Sequence, residues 1–234
     1  MFEVIDVNRV LGPVPTDDVP GADASGLLAE LDRLRIDAAC VVHSHALHYD
    51  PATGNAALPR GGDRLIPVPV LVPGPLGTPS EAAGVVRLCP AAHRFRLTGP
   101  HGLALARDLA ERGTGVLLGW DETTPDEVEH LATRVPGLNL VLINTGYRSL
   151  RELADLMDAH PRIHVDTATL NGHLAVEWVA QRFGAHRVLF GTGAPATDDA
   201  GPRFQLDHLD LPPADAALIA GGNARALLRP RKED

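Results

Sequence analysis

The sequence is poor in cysteine, lysine and aromatic residues, and it has no long hydrophobic run. Two of the 234 residues are cysteine, aromatic residues make up 4%, and lysine occurs once, at Lys232. Because no stretch of about 18 consecutive apolar residues is present, no membrane-spanning helix is expected. Cys40 and Cys89 each follow an apolar strand pattern, which is more typical of core residues than of a disulfide or a metal pair.

The charge balance excludes several classes of partner. The formal net charge is −9 at pH 7, which argues against nucleic acid and against an anionic membrane surface. The opening residues Met-Phe-Glu-Val-Ile-Asp enter a strand pattern directly, without the features of a signal peptide. A Gly-x-Ser-x-Gly nucleophile motif is also absent. We therefore expect a cytoplasmic protein whose ligand is a small molecule.

Apolar, β-branched segments alternate with helical patterns along the chain. Predicted strands cover residues 2–7, 38–42, 65–72, 85–88, 115–118, 138–143, 163–165 and 188–190. Predicted helices cover residues 24–34, 103–112, 125–134, 149–160, 173–183 and 214–228. Most strand patterns are continuously apolar, as in parallel strands that are covered on both faces.

This alternation predicts one α/β domain over residues 1–234, a compact or trimmed TIM-like (β/α)8 barrel of parallel strands with outer helices. An open doubly wound sheet is the alternative, although no Gly-x-Gly-x-x-Gly loop follows the first strand. Residues 43–63, 72–80 and 196–213 are predicted to be loops. In a barrel, the first of these would overhang the carboxyl-terminal mouth, where binding residues gather.

Several short motifs occur in a recognisable order. They are Ile5-Asp6-x-Asn8-x-Val10-Leu11-Gly12, Tyr49-Asp-Pro-x-x-Gly-Asn55, residues 140–146, Arg187-Val-Leu-Phe-Gly-Thr-Gly-Ala-Pro195 and Gly222-Asn-Ala-Arg-x-Leu-Leu228. Their order and spacing resemble those of the amidohydrolase superfamily, in its amidohydrolase-2 branch of barrel hydrolases and decarboxylases. The resemblance covers nearly the whole chain and implies the same barrel fold.

Members of that family bind one or two divalent metal ions, usually zinc, through imidazole and carboxylate side chains in the barrel mouth. The resemblance places the corresponding positions of this chain at Asn8, Val10, Asn144 and Gly193, and at Gly119 or Trp120. Valine has no donor atom and glycine has no side chain. The resemblance therefore implies a degenerate member without the usual metal centre, and we expect no cofactor. A divalent metal ion would need His43, His45 and His48 instead.

The candidate catalytic residues are His43, His45, Asn144 and Asp166. The spacing His43-x-His45-x-x-His48 could supply general acid–base groups, or it could belong to a solvated loop. Asp166 follows the seventh strand, at a strand end where barrel active sites gather, and could act as a base or begin a turn. Asn144 could polarise a carbonyl group.

The candidate substrate-binding residues are Asn8, Arg9, Asn55, Trp120 and Arg148. Arg148 could hold a carboxylate through two parallel hydrogen bonds, or it could be exposed in the first turn of a helix. Trp120 could form a pocket wall or pack at the rim. Three further arginines, in or after the fourth strand, offer the same choice as Arg148: Arg87, Arg94 and Arg96.

Three functions remain open on the sequence alone. The first is a non-catalytic or accessory partner of an intact amidohydrolase homologue, a self-associating chain or a small-ligand binder. The second is a metal-independent hydrolase or lyase that acts on a small carboxylated or carbonyl substrate with His43, His45 and Asp166. The third is a metal-dependent amidohydrolase whose centre is rebuilt in residues 43–48.

Overall fold

A computed structural model describes residues 2–14, 23–60, 62–78 and 83–229. The strands in these ranges are β1 Ile5–Leu11, β2 Ala38–His43, β3 Leu65–Pro67, β4 Val85–Leu88, β5 Gly115–Gly119, β6 Asn139–Ile143, β7 Ile163–Asp166 and β8 Val188–Leu189. They form two parallel ladders, with the orders β1-β2-β3 and β4-β5-β6-β7-β8.

Backbone hydrogen bonds connect the two ladders at both ends. Beyond β3, Val70 forms an isolated parallel bridge with Arg87 of β4. On the opposite side, the Val7 amide of β1 donates to the Phe190 carbonyl, which follows β8, over 2.9 Å. Eight parallel strands with outer helices therefore surround one interior, and the predicted TIM-like α/β fold is confirmed.

The helices in the described ranges are α1 Ala24–Arg33, α2 Ser44–His48, α3 Pro51–Ala56, α4 Pro100–Arg112, α5 Pro125–Arg134, α6 Leu150–Ala159, α7 Ala175–Phe183, α8 Ala200–Asp207, α9 Pro213–Ala217 and α10 Asn223–Leu228. Four of them, α1, α2, α3 and α5, begin with a side-chain cap. The Thr124 side chain accepts a hydrogen bond from the Glu127 amide ahead of α5, and Gly113 ends α4 in the left-handed conformation with φ 72°. No helix in the described ranges is long and apolar enough to cross a membrane.

The structure corrects several predicted elements. Residues 43–63 are not a plain loop, because they contain α2 and α3, which His43 and Asp50 cap through their side chains. Likewise α8 lies inside the predicted loop 196–213. The predicted strand 65–72 pairs in a ladder only at Leu65–Pro67, and the predicted helix 214–228 is divided by a π-helical turn at Leu218–Gly222. α2 and α3 are short and begin at single capping residues, which periodicity does not detect.

Apolar side chains fill the amino-terminal half of the barrel interior. This inner cluster contains Ile5, Val7, Ala38, Cys40, Val68, Val85, Leu117, Val141, Ile143, Leu189 and Ala224. A second and larger cluster packs the outer strand faces against the helices. Both cysteines lie in the described ranges and are buried free thiols, as predicted. Ala224 and Leu227 of α10 pack in or against the inner cluster.

Candidate active site

Asn8, Asn144 and Asp166 form a hydrogen-bonded cluster at the carboxyl-terminal side of the barrel. The Asn8 amide nitrogen donates to Oδ2 of Asp166 over 2.8 Å and to Oδ1 of Asn144 over 2.9 Å. The Asn144 backbone amide donates to Oδ1 of Asp166 over 3.0 Å. Asp166 has no exposed surface and Asn8 is 2% exposed, whereas Asn144 is partly exposed. Three residues that the sequence predicted separately are thus brought together.

Local backbone irregularities aim these side chains inward. The register between β1 and β2 shifts between Asp6 and Arg9, so the regular alternation of β1 is broken around Asn8. Asn144 adopts a left-handed backbone conformation with φ 56°, which asparagine tolerates better than most residues. Neither feature is predictable from a strand pattern alone.

Burial raises the pKa of Asp166 to about 7 from an ordinary value near 3.8. The hydrogen bonds from Asn8 and Asn144 and the positive charge of Arg87 act in the opposite direction but do not compensate for the loss of water. The Asp166 carboxyl group therefore titrates well above the range of an exposed carboxyl group.

Gly193 lies against this cluster without room for a side chain. A Cβ atom at Gly193 would come within 2.6 Å of Oγ1 of Thr197 and 2.8 Å of Oδ1 of Asn144. Its φ of +71° also disfavours any L-residue. Gly191 is equally crowded, because a Cβ atom there would lie 2.7 Å from Oδ2 of Asp166. The space beside Asn144 is therefore filled.

The side chains present do not fit a catalytic metal ion. Asn8, Asn144 and Asp166 provide two amides and one carboxylate, and both carboxylate oxygens accept hydrogen bonds within the cluster. Zinc prefers imidazole, thiolate and carboxylate ligands with one open position. In the ranges 2–14, 23–60, 62–78 and 83–229, no three His, Cys, Asp or Glu side chains converge as a metal-binding group.

The three histidines of residues 43–48 point to different partners. Nδ1 of His43 accepts a hydrogen bond from the His45 amide, and burial together with the charge of His45 lowers the pKa of His43. The His45 ring lies 5.2 Å from the Tyr49 ring. Burial and the charge of Arg87 lower the pKa of His48, which ends α2.

Arg9 and Asn55, two predicted substrate-binding residues, bind other parts of the barrel. Arg9 is 4% exposed and donates to Oγ1 of Thr192 over 3.1 Å and to Oδ2 of Asp199 over 3.0 Å. The Asn55 amide forms two hydrogen bonds of 2.8 Å with the backbone of Val70, one as donor and one as acceptor. Both side chains therefore brace strand ends.

Trp120 and Arg148 lie outside the cluster. Trp120 is partly buried and packs against the outer apolar cluster between strands and helices. Arg148 is exposed, and its Nε donates to the Tyr147 hydroxyl over 3.2 Å while its guanidinium lies 5.7 Å from the ring centre. Neither contacts the residues around Asp166 through a hydrogen bond.

Arg87, which the sequence analysis named beside Arg94 and Arg96, faces the barrel interior. Its neighbours Val86 and Leu88 pack in the outer cluster, whereas Val85 packs in the inner one. Arg87 is 8% exposed, and its Nε has no hydrogen-bond partner in the described part of the chain. A charged residue inside a short apolar strand was the available signal, because a strand buried on both faces has no solvated side.

The sequence also matches a family model, Amidohydro_2, described as amidohydrolase, over residues 19–229. The chain belongs to this amidohydrolase family. No curated protein matches the sequence.

Solved structures of this family have the same fold. Amidohydrolase 2 from Bifidobacterium longum subsp. infantis is 17% identical with a TM-score of 0.75, and the match covers 97% of this chain and 99% of that one. 2,6-Dihydroxybenzoate decarboxylase from Rhizobium is 14% identical with a TM-score of 0.74, covering 97% and 99%. 5-Carboxyvanillate decarboxylase from Sphingomonas paucimobilis is 14% identical with a TM-score of 0.70, covering 98% and 100%. At these identities, the likeness establishes the barrel fold alone.

Proposed function

We propose that this chain is an amidohydrolase-family barrel that binds a small molecule in its mouth without a catalytic metal ion. The hydrogen-bonded cluster of Asn8, Asn144 and Asp166 is the observation that carries the proposal. Both carboxylate oxygens of Asp166 accept hydrogen bonds from this cluster. The Asn8 amide nitrogen donates to both partners, so a cation at Asp166 would first have to displace this donor from Oδ2.

The crowding at Gly193 supports the same proposal. Metal-activated hydrolysis needs a ligand set with an open position for water. Any side chain at position 193 would collide with Asn144 and Thr197. A carboxylate therefore cannot approach the cluster from β8 without rearrangement of these neighbours.

The ligand we propose is small and polar. The partly exposed Asn144 has an amide nitrogen available as a hydrogen-bond donor, which suits a carbonyl or carboxylate oxygen. Two proteins of the same fold are named as decarboxylases of 2,6-dihydroxybenzoate and 5-carboxyvanillate, which are small carboxylated molecules. A non-catalytic binder of this kind could be an accessory or regulatory partner of an intact homologue, or it could self-associate.

Metal analysis of the purified protein tests the proposal most directly. The protein is produced in medium with added Zn²⁺ and Mn²⁺, and metal content is measured by mass spectrometry. We expect far less than one ion per chain. A metal ion that binds only the folded state raises Tm, and a chelator that removes it lowers Tm. We therefore expect a chelator to leave the Tm of this protein unchanged. Metal near one equivalent, lost together with stability on chelation, would contradict the proposal.

Association with a partner needs a separate experiment. Size-exclusion chromatography with light scattering reports self-association, and co-expression with an intact amidohydrolase of the same host reports pairing. An accessory role predicts that the homologue changes its activity when this chain is present. If the homologue has the same kcat and KM alone and in the mixture, the accessory role is wrong, whereas ligand binding is unaffected.

The second candidate function is metal-independent hydrolysis or bond cleavage of a small carboxylated or carbonyl substrate. It is favoured by the pKa of Asp166, which burial raises to about 7. A group that titrates near the working pH is best placed for general acid–base catalysis. Turnover that resists chelator and disappears in Asp166→Ala and His43→Ala supports this function. Binding without turnover of any substrate in a panel of lactones, amides and β-keto acids supports the first.

A further inference from the structure

We propose that Arg87 binds a carboxylate group of the molecule that occupies the barrel mouth. This inference rests on the proposed small-molecule binding and names the chemical class of the ligand. It is argued from the position of Arg87, from its lack of a partner and from the geometry of the guanidinium group.

The position of Arg87 follows from the alternation of β4. Val86 and Leu88 pack against the outer cluster, so Arg87 points to the barrel interior on the same side as Val85 and Cys89. Its backbone is fixed by two hydrogen bonds across the join between the ladders, to Pro69 and from Leu71. The Arg87 side chain therefore begins on the mouth side of the inner cluster and extends toward the barrel mouth.

Arg87 differs from the other buried arginines in the described ranges. Arg9 has an ion pair with Asp199 at 3.0 Å, and Arg203 has one with Asp207 at 2.6 Å. Arg187 donates hydrogen bonds of 2.7–2.9 Å to the backbone carbonyls of Met157, His160 and Ile163.

Arg87 has neither kind of compensation in the part of the chain that the structure describes. Among residues 2–14, 23–60, 62–78 and 83–229, no carboxylate lies within the 4.0 Å of an ion pair with Arg87, and its Nε has no hydrogen-bond partner. Its side chain contacts the Cys89 thiol, which is a weak acceptor. Burying a charged group without a partner is costly, so a partner that arrives with the ligand would relieve this cost.

The surroundings favour a singly charged ligand group. The positive charge of Arg87 acts to lower the pKa values of Asp166, His48 and the Cys89 thiol. The negative charge of Glu122 acts to raise the pKa values of His48 and Cys89. Glu122 is engaged elsewhere, because its Oε2 accepts from the amides of Ala91 and Ala92. A dianion such as phosphate would meet more repulsion from these acidic groups than a carboxylate would.

Nε of Arg87 is closed to solvent, so a carboxylate that enters from the mouth would meet the two Nη groups instead. These groups can donate two parallel hydrogen bonds to the two oxygens, a geometry that lysine cannot reproduce. A ligand bound in this way would also lie close to the Asn8, Asn144 and Asp166 cluster, whose Asp166 senses the charge of Arg87.

Calorimetric titration of the full chain with matched probes tests the inference. The probes are benzoate, isophthalate and succinate, their amides benzamide, isophthalamide and succinamide, and inorganic phosphate. We expect at least one carboxylate to bind, with its amide and phosphate each weaker by about tenfold or more. Equal affinity for acid and amide, tighter binding of phosphate, or binding of none of the carboxylates would overturn the inference.

Substitutions then assign the effect to Arg87. Arg87→Gln should weaken the bound carboxylate by about tenfold or more, and Arg87→Lys, which keeps the charge but loses the planar edge, should weaken it less. Arg94→Gln is the control, because Arg94 is exposed in the turn after β4. If Arg87→Gln fails to fold, Arg87→Lys alone decides, and an affinity equal to that of the unmodified protein overturns the inference. Metal found in the purified protein would contradict the proposed function independently of these results.

Discussion

The side-chain amide of Asn8 in β1 lies 2.8 Å from Oδ2 of Asp166 at the end of β7, although 158 positions separate them in sequence. This hydrogen bond favours the charged form of a carboxyl group whose pKa burial raises to about 7. Asn8→Ala should therefore raise the pKa of Asp166 further. It should also lower the free energy of unfolding by about 1–3 kcal/mol, because a buried acceptor loses its donor.

A carbon-detected NMR titration of the Asp166 carboxyl group measures this effect. Asn171→Ala is the matched control, because Asn171 is exposed. An unchanged pKa of Asp166 in Asn8→Ala would show that this hydrogen bond does not persist in solution.

Gly193 and Gly146 provide a comparison between two glycines with similar backbone conformations. Their φ values are +71° and +75°, but a Cβ atom at Gly146 would meet nothing within 4 Å among the residues described. Gly146→Ala should therefore report backbone strain alone, about 1 kcal/mol. Gly193→Ala should lower the free energy of unfolding by about 1–3 kcal/mol more, because overpacking is added. Equal losses in urea unfolding would mean that Asn144 and Thr197 move aside freely.

Asn55 should contribute to stability through the backbone of Val70 rather than through a ligand. Both its polar atoms bond the Val70 peptide groups next to the join between β3 and β4. Asn55→Ala should lower the free energy of unfolding by about 1–3 kcal/mol and accelerate amide exchange at Val70. The exposed Asn171→Ala again serves as control. Reduced ligand affinity at full stability would instead identify Asn55 as a binding residue.

His164 should make the protein sensitive to acid. Burial lowers the pKa of His164 from 6.5 to about 4, so the unfolded chain takes up this proton at a higher pH than the folded chain. The free energy of unfolding therefore keeps its full value above pH 6.5. It decreases by up to about 3 kcal/mol as the pH falls toward 4. Urea unfolding across this range should show a smaller loss for His164→Leu than for the unmodified protein. The exposed His130→Leu should follow the unmodified protein.

The sequence predicted the eight parallel strands and three members of the cluster because both depend on local patterns. Continuously apolar segments identify parallel strands, and polar residues at their ends identify the mouth. The convergence of Asn8 with Asn144 and Asp166 depends on the arrangement of β1 opposite β6 and β7. No single segment contains that information.

Arg9 and Asn55, predicted as substrate-binding residues, make hydrogen bonds in the structure that the sequence did not predict. Arg9 follows the bulge in β1 and binds Asp199 of the loop before α8, whereas regular alternation gives no reason for that direction. Asn55 belongs to a six-residue helix whose cap is Asp50, so it faces Val70 instead of an open loop. In the sequence, Arg87 is a charged residue within an apolar strand. Only the structure shows that its Nε has no hydrogen-bond partner among the described residues.

The crowding around Gly193 has a consequence for how this protein can evolve. Because Asn144 and Thr197 occupy the space of any side chain there, every single substitution at this position passes through a less stable protein. A carboxylate at position 193 requires Asn144 and Thr197 to move aside or a neighbour to become smaller. Directed evolution toward a metal enzyme should therefore favour an ordered pair of changes, with the enlargement of the space as the first step.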